Sequence, residues 1–205
     1  MLLSPEIEIF SNSPSLRDKI KAVVGLQTGD NNKFLRYWYE VSFDSIAFDV
    51  HDKSSSLLSN RKWRKYNKAG EYRKWFGNFE YVVNWSNDGF EIKNFLDENG
   101  SLRSRPQNED FYFRECVSWS DITTGDSAFR LYPSGTISDA CAHSFYATSE
   151  LEKLILLGYC NGNFAQRVAK ILNPTMHFHV GYFNKLPYPE KLGGSVAELS
   201  REALR

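Results

Sequence analysis

Seven of the residues from Arg61 to Trp75 are basic: Arg61, Lys62, Arg64, Lys65, Lys68, Arg73 and Lys74, interleaved with Trp63, Tyr66, Tyr72 and Trp75. Cations at this density neutralise backbone phosphates and release counterions, while aromatic faces pack on sugars and bases. Arginines fork onto guanine edges, and the carboxamides of Asn67 and Asn78 carry the donor–acceptor pair that matches adenine. The same composition also describes a solvated basic loop whose aromatics anchor it to a core. Upstream, the glycines of Gly25-Leu-Gln-Thr28-Gly29-Asp30-Asn31-Asn32 let backbone amides approach an anion, with Thr28, Asn31 and Asn32 as polar tips. A plain helix-exit turn uses the same residues. The candidate phosphate contacts are therefore Lys62, Arg64, Lys65, Lys68, Arg73 and Lys74. Thr28, Asn31, Asn32, Asn67 and Asn78 are candidates for bases or phosphates.

Other constellations are weaker. Glu91-Ile92-Lys93 matches the Glu-x-Lys half of a nuclease metal site, but Asp88 is too close to supply an acid from a separate strand. His177-x-His179 and Cys141-x-His143 each put two ligand types on one strand face, and would make a zinc site only if those strands were neighbours. Strand-edge histidines beside an inert cysteine are the plainer account, so no metal is expected. The sequence holds no Gly-x-Gly, no Gly-Lys-Ser/Thr, no Pro-Pro and no Gly-x-Ser-x-Gly. The common dinucleotide, adenosylmethionine and nucleoside-triphosphate loops, and the esterase elbow, are thus missing. No catalytic residue is assigned.

These residues sit in a chain of 205 residues with 41% hydrophobic and 24% charged residues, which describes a globular protein rather than a disordered or collagen-like one. Net charge is zero, so the surplus of six cations in residues 61–75 is a local patch on an otherwise acidic chain. Aromatic residues reach 15%, enough for both a core and a recognition surface. No apolar run is long enough to span a membrane, and no leader is expected. Cys116, Cys141 and Cys160 are odd in number and lack Cys-x-x-Cys spacing, which fits the reducing cytoplasm.

The supporting elements point to an α+β class: a mixed, largely antiparallel twisted sheet with a few packed helices. Residues 1–13 form a leading segment with a short strand in LLSPEIEIF. Ser13-Pro14 opens a helix to about Val24 through Leu16, Ile20, Val23 and Val24. Strands are expected over Leu35–Phe48, Glu80–Trp85, Phe111–Trp119, Phe129–Tyr132, around Thr136 and Ser144–Tyr146, and in MHFHVGYF. Residues 51–60 and 97–108 are polar connections, and Asn87-Asp88-Gly89 is a turn. Ser149-x-x-Glu152 caps one helix, Asn161-Gly162 interrupts, and a second runs to the stop at Asn173-Pro174. The main domain is expected over 14–190, followed at 191–205 by a linker and a short terminal helix that Ser195-x-x-Glu198 caps.

Three stretches taken together are specific: GLQTGDNNKF (Gly25–Phe34), WRKYNKAGEYRKWFGNFEYVVNWSNDGFEIKN (Trp63–Asn94) and LNPTMHFHVGYFNKLPYP (Leu172–Pro189). Their order resembles the carboxy-terminal region of PglX-type adenine-specific DNA methyltransferases of BREX phage-defence systems, and more distantly type IIG restriction-modification enzymes. The likeness covers roughly residues 20–190, with VSWSDIT and FRLYPSGTISD also similar. His177-Phe-His179 departs from the polar amides more usual there. The resemblance implies a target-recognition-domain-like fold that reads duplex DNA for a methyltransferase catalytic domain. That domain would lie on this chain or another and hold S-adenosylmethionine, and other defence-system proteins are further implied partners. This chain itself would bind no cofactor and be inactive alone. Asn173-Pro174-Thr175 does not substitute for the family's Asn/Asp-Pro-Pro-Tyr/Phe motif, because one proline and a threonine build no aromatic slot for a flipped adenine. Two other readings compete: a protein-interaction module of a defence complex that uses the aromatics of residues 61–85 and has no DNA binding of its own, and a metal-dependent nuclease built on Glu91-x-Lys93 or the His/Cys set.

Overall fold

A computed structural model describes Phe10 and residues 12–205. The strand expected in LLSPEIEIF lies outside these residues apart from Phe10, which is not in a strand. Nine strands form two sheets among the described residues. The first comprises β1 (Lys21–Val23), β4 (Trp75–Phe76), β6 (Cys116–Ser120), β7 (Arg130–Tyr132) and β9 (Ala142–Tyr146), in the order β1-β9-β6-β7-β4. The second comprises β2 (Leu35–Tyr37), β3 (Trp63–Asn67), β5 (Tyr81–Asn84) and β8 (Thr136–Ser138), in the order β2-β5-β3-β8. All pairs are antiparallel except β4–β7 and β3–β8, so the expected mixed, largely antiparallel α+β class holds.

Seven α-helices accompany the sheets among the described residues: α1 (Asn31–Phe34), α2 (Lys53–Leu58), α3 (Ser86–Lys93), α4 (Glu150–Asn161), α5 (Asn163–Leu172), α6 (Val180–Phe183) and α7 (Gly194–Ala203). The first sheet packs on the α4–α6 side through Val117, Trp119, Phe129, Phe145, Leu156 and Phe183, all essentially fully buried. A second cluster (Leu26, Phe34, Tyr66, Val83, Trp85, Ile137) fills the space under the second sheet. Each such side chain contributes roughly 1.5–3 kcal/mol of burial. The sheets meet where Asn67, ending β3, donates from Nδ2 to Ser118 Oγ on β6 at 2.7 Å. No helix of the described residues is long and apolar enough to cross a membrane.

Several local expectations change. The helix expected from Pro14 to Val24 is a single 3-10 turn, Leu16–Asp18, followed by β1. Asp18 folds back onto Ser15 N and Oγ at 3.1 and 2.8 Å, closing one turn, after which β1 pairs with β9. Only Leu35–Tyr37 of the aromatic stretch is strand. Glu40 accepts from Tyr37 N at 2.7 Å and turns the chain away from the sheet. Residues 51–60 are not a plain connection, because Asp52 and Ser55 cap each other and start α2. Of Phe111–Trp119 only the end is strand, behind a 3-10 turn at Glu109–Phe111. MHFHVGYF makes one bridge, Ile122 to His177, and then α6, whose Phe183 enters the core.

The carboxy-terminal helix is docked. It begins at Gly194, capped by Gly193 rather than Ser195, and buries Ala197 and Ser200 against α4. A Cβ at Gly158 of α4 would stand 2.5 Å from Ser200 Oγ and 2.8 Å from Val196 Cγ1, so glycine permits this close approach.

Candidate nucleic-acid interface

The basic window is threaded through the middle of the second sheet. β3 has β5 on one side and β8 on the other, which buries Trp63, Arg64, Tyr66 and Asn67. Arg64 faces inward and meets no carboxylate among the described residues. Its Nε donates to Ser56 Oγ at 2.9 Å, Nη2 to Ser56 O at 2.8 Å and Ser59 O at 3.2 Å, and Nη1 to Arg61 O at 2.6 Å. Burial lowers its pKa, but a guanidinium stays charged, and here it satisfies the carbonyls that end α2.

Three more of the expected surface residues are interior. Asn67 Oδ1 accepts from Ala69 N at 3.1 Å while its Nδ2 ties the sheets together. Asn78, at φ 62°, donates from Nδ2 to Ala69 O and Glu71 O at 2.9 and 3.0 Å. Thr28 donates to Asn31 Oδ1 at 2.8 Å. For Arg64, Asn67, Asn78 and Thr28 the expected surface contact gives way to internal hydrogen bonding. Buried backbone carbonyls and side chains need partners, and these polar groups supply them.

The lysines are intermediate. Lys65 Nζ donates to Ser134 O at 2.8 Å, with burial lowering its pKa. Lys68 pairs with Asp139 at 2.6 Å, and Lys74 donates to Asn161 O at 2.9 Å. Each is half-buried, with one acceptor engaged. Lys62 and Arg73 are exposed and have no ion-pair partner among the described residues. Arg61, also exposed, pairs with Asp49 at 2.9 Å. Asn31 and Asn32 are exposed on α1, where Asp30 caps the helix by accepting from Lys33 N.

The sequence did not single out a second strip of cations beside the Gly25 loop. Gln27 and Arg105 form an antiparallel bridge, with Gln27 N donating to Arg105 O at 3.1 Å and Arg105 N to Gln27 O at 2.8 Å. Gly29 then crosses Arg103 so closely that a Cβ would lie 2.8 Å from the Arg103 carbonyl carbon; its φ of +79° also favours glycine. Alternation along Leu-Arg-Ser-Arg, with Ser104 buried between exposed Arg103 and Arg105, was the available signal.

The enzyme-like constellations do not assemble. Glu91 lies 3.1 Å from Lys33 and accepts from Asn84 at 2.9 Å, whereas Lys93 bridges Asp88 and Glu109 at 2.8 and 2.7 Å. The Glu-x-Lys side chains thus serve separate networks. The two histidine segments are in fact neighbours. Asp121 stands 3.3 Å from His143 Nε2 and 3.1 Å from His177 Nδ1, and the His143 and His179 rings are 4.8 Å apart. Even so, no group of three or more His, Cys, Asp or Glu among the described residues is placed to hold a metal ion. Burial pushes His143 down to about 4 despite the Asp121 carboxylate, so it is neutral at pH 7.

A cleft of about 360 Å³ opens on the outer face of the second sheet. It is lined by Trp38, Phe43, Phe48, Phe76, Phe79 and Tyr81, with Lys65 as its one charged residue. Several of these aromatics are exposed, including Trp38, Phe43 and Phe76.

No family model matches the chain. It is an α+β chain homologous to the carboxy-terminal part of two adenine-specific methyltransferases. It is 34% identical over 194 residues, 94% of its length, to the adenine-specific methyltransferase PglX of Lacticaseibacillus casei (strain Zhang). It is 34% identical over 203 residues to the adenine-specific methyltransferase BrxX of Escherichia coli O9:H4 (strain HS). The chain spans about 16% of the length of each.

Proposed function

We propose that this chain is a DNA-recognition module that positions duplex DNA for adenine-N6 methylation by a catalytic domain outside it, in a cytoplasmic phage-defence or restriction-modification system. The observation that carries this reading is the likeness of nearly the whole chain to one terminal part of two adenine-specific methyltransferases. The exposed, unpaired cations Lys62 and Arg73 are suited to backbone phosphates, with Lys65, Lys68 and Lys74 able to turn a remaining N–H outward. The exposed carboxamides of Asn31 and Asn32 are candidates for bases or phosphates in the same reading.

S-adenosylmethionine, the methyl donor implied, belongs in this account to the other domain. The aromatic cleft does not suit it: the cofactor's amino-acid end needs charged and polar partners, and Lys65 already donates to Ser134 O. The test is an exchange. Placing this chain in a full-length relative instead of its own homologous part should change which DNA sites are methylated and leave S-adenosylmethionine binding intact. An unchanged methylation pattern would contradict the reading.

The aromatic cleft favours a second reading, a docking module for a defence-complex protein. Its lining is apolar and aromatic apart from Lys65 and Thr136, so the fitting partner surface is apolar. That reading predicts little duplex binding by the chain, with Phe43→Ser and Phe76→Ser together abolishing binding to the partner protein.

A further inference from the structure

The geometry points to the short ribbon of Gln27–Gly29 and Arg103–Arg105, two segments paired through a single antiparallel bridge, as the base-reading surface of this module, with Arg103 and Arg105 forking onto guanines and Gln27 onto a neighbouring adenine. This inference rests on the DNA-recognition reading and names the element that would supply sequence preference.

The ribbon is held from below. Leu26, Thr28 and Ser104 point inward and are buried, and Ser104 Oγ donates to Ile92 O. Leu26 is bound on both sides, its N donating to Ser138 O at 2.8 Å and its O accepting from Ala140 N at 2.9 Å. Asn108 donates from Nδ2 to Val24 O at 2.9 Å and closes the far end. With this underside fixed, pleating turns Gln27, Arg103 and Arg105 to the opposite, exposed face.

Three properties suit that face to a major groove. A two-stranded ribbon fits the groove's width. The guanidinium groups of Arg103 and Arg105 have no hydrogen-bond or ion-pair partner among the described residues, while the Arg103 guanidinium lies over the Phe95 ring at 5.2 Å, which limits its rotation. Residues two apart on a strand are separated by roughly 7 Å, close to two base-pair steps of about 3.4 Å each. The two arginines therefore address guanines separated by one base pair. Gln27 lies directly across the bridge from Arg105 and so addresses a base beside the pair that Arg105 reads.

The test is selection of bound sequences from a randomised duplex library by the full chain, followed by affinity measurements on the selected site. Arg103→Ala and Arg105→Ala should each relax preference at one position, costing about tenfold or more there. Arg103→Lys and Arg105→Lys should lose the same preference while keeping the salt dependence, because lysine retains the charge but not the fork. Unchanged thermal unfolding would verify that the variants fold. Wild-type binding without sequence preference would overturn the inference and leave the DNA-binding reading standing, as would variants that weaken all duplexes equally. Failure of the wild-type chain to bind any duplex, or binding of acidic peptides in place of DNA, would overturn both.

Discussion

The Tyr66 hydroxyl lies 3.0 Å from the Leu26 carbonyl, tying the central strand of the basic window to the Gly25 loop across 40 residues of sequence. The same hydroxyl lies 2.8 Å from Asp139 Oδ2, which also takes the Lys68 ammonium. Burial first, and then the Asp139 charge, raises the tyrosine pKa well above its ordinary value, so the hydroxyl keeps its proton at neutral pH. Two of the three family-like stretches are therefore joined by one buried hydrogen-bond network.

Tyr66→Phe removes the one hydroxyl proton that the Leu26 carbonyl and Asp139 Oδ2 share, leaving them only Ala140 N and Lys68 Nζ as donors. The expected loss is about 1–3 kcal/mol of stability, measurable by urea unfolding. Hydrogen exchange at the Gln27 and Arg105 amides should quicken, because the bridge between them hangs on the Leu26 segment.

Arg64 separates structural from interfacial charge. Arg64→Met leaves the carbonyls of Ser56, Ser59 and Arg61 without their buried donor and should cost about 2–4 kcal/mol. Lys62→Ala with Arg73→Ala removes the same kind of charge from the surface and should change stability by less than about 0.5 kcal/mol. Paired urea titrations decide it, and equal losses would refute the distinction.

The acid limb of stability should carry the signature of His143. Its pKa is about 4 in the fold against 6.5 for the free side chain, so between these values the unfolded chain binds the extra proton. Stability therefore falls as pH drops from about 6.5 toward 4, by an amount on the order of 3 kcal/mol. The groups facing it are Asp121, at 3.3 Å, and the ring of His179, at 4.8 Å. His143→Phe should flatten this limb, as followed by urea midpoints at intervals from pH 7 to 4.

Gly158→Leu should undock α7. The new side chain would occupy the space of Ser200 Oγ and Val196, and limited proteolysis should then cleave within residues 193–205 while the remainder resists. A wild-type-like digestion pattern would contradict the described packing.

Which parts of this were legible depended on how local the determinants are. Ser149 does accept from Glu152 N at 3.2 Å to start α4, and α5 ends at Leu172 just before Asn173-Pro174, because caps and prolines act within a few residues. Residues Tyr81–Asn84 form a buried strand as their apolar run suggests. Aromatic density misled at Leu35–Phe48, since Trp38 and Phe43 sit at a cleft instead of continuing a strand. The basic window was legible as a cluster but not as a surface. Whether a cation points out depends on which strands flank β3, and that is fixed by pairing with residues 81–84 and 136–138. The Gln27–Arg105 bridge joins segments 78 positions apart, and no local pattern announces such a pairing.

The central claim is most directly tested by fluorescence anisotropy of a labelled duplex across a salt series, with wild type beside the Lys62→Ala/Arg73→Ala double variant. Recognition through these cations predicts wild-type log K falling with log salt at a slope of about −3 to −5, and a double variant shallower by about 2. No binding at low salt, or an identical slope in the variant, would contradict it.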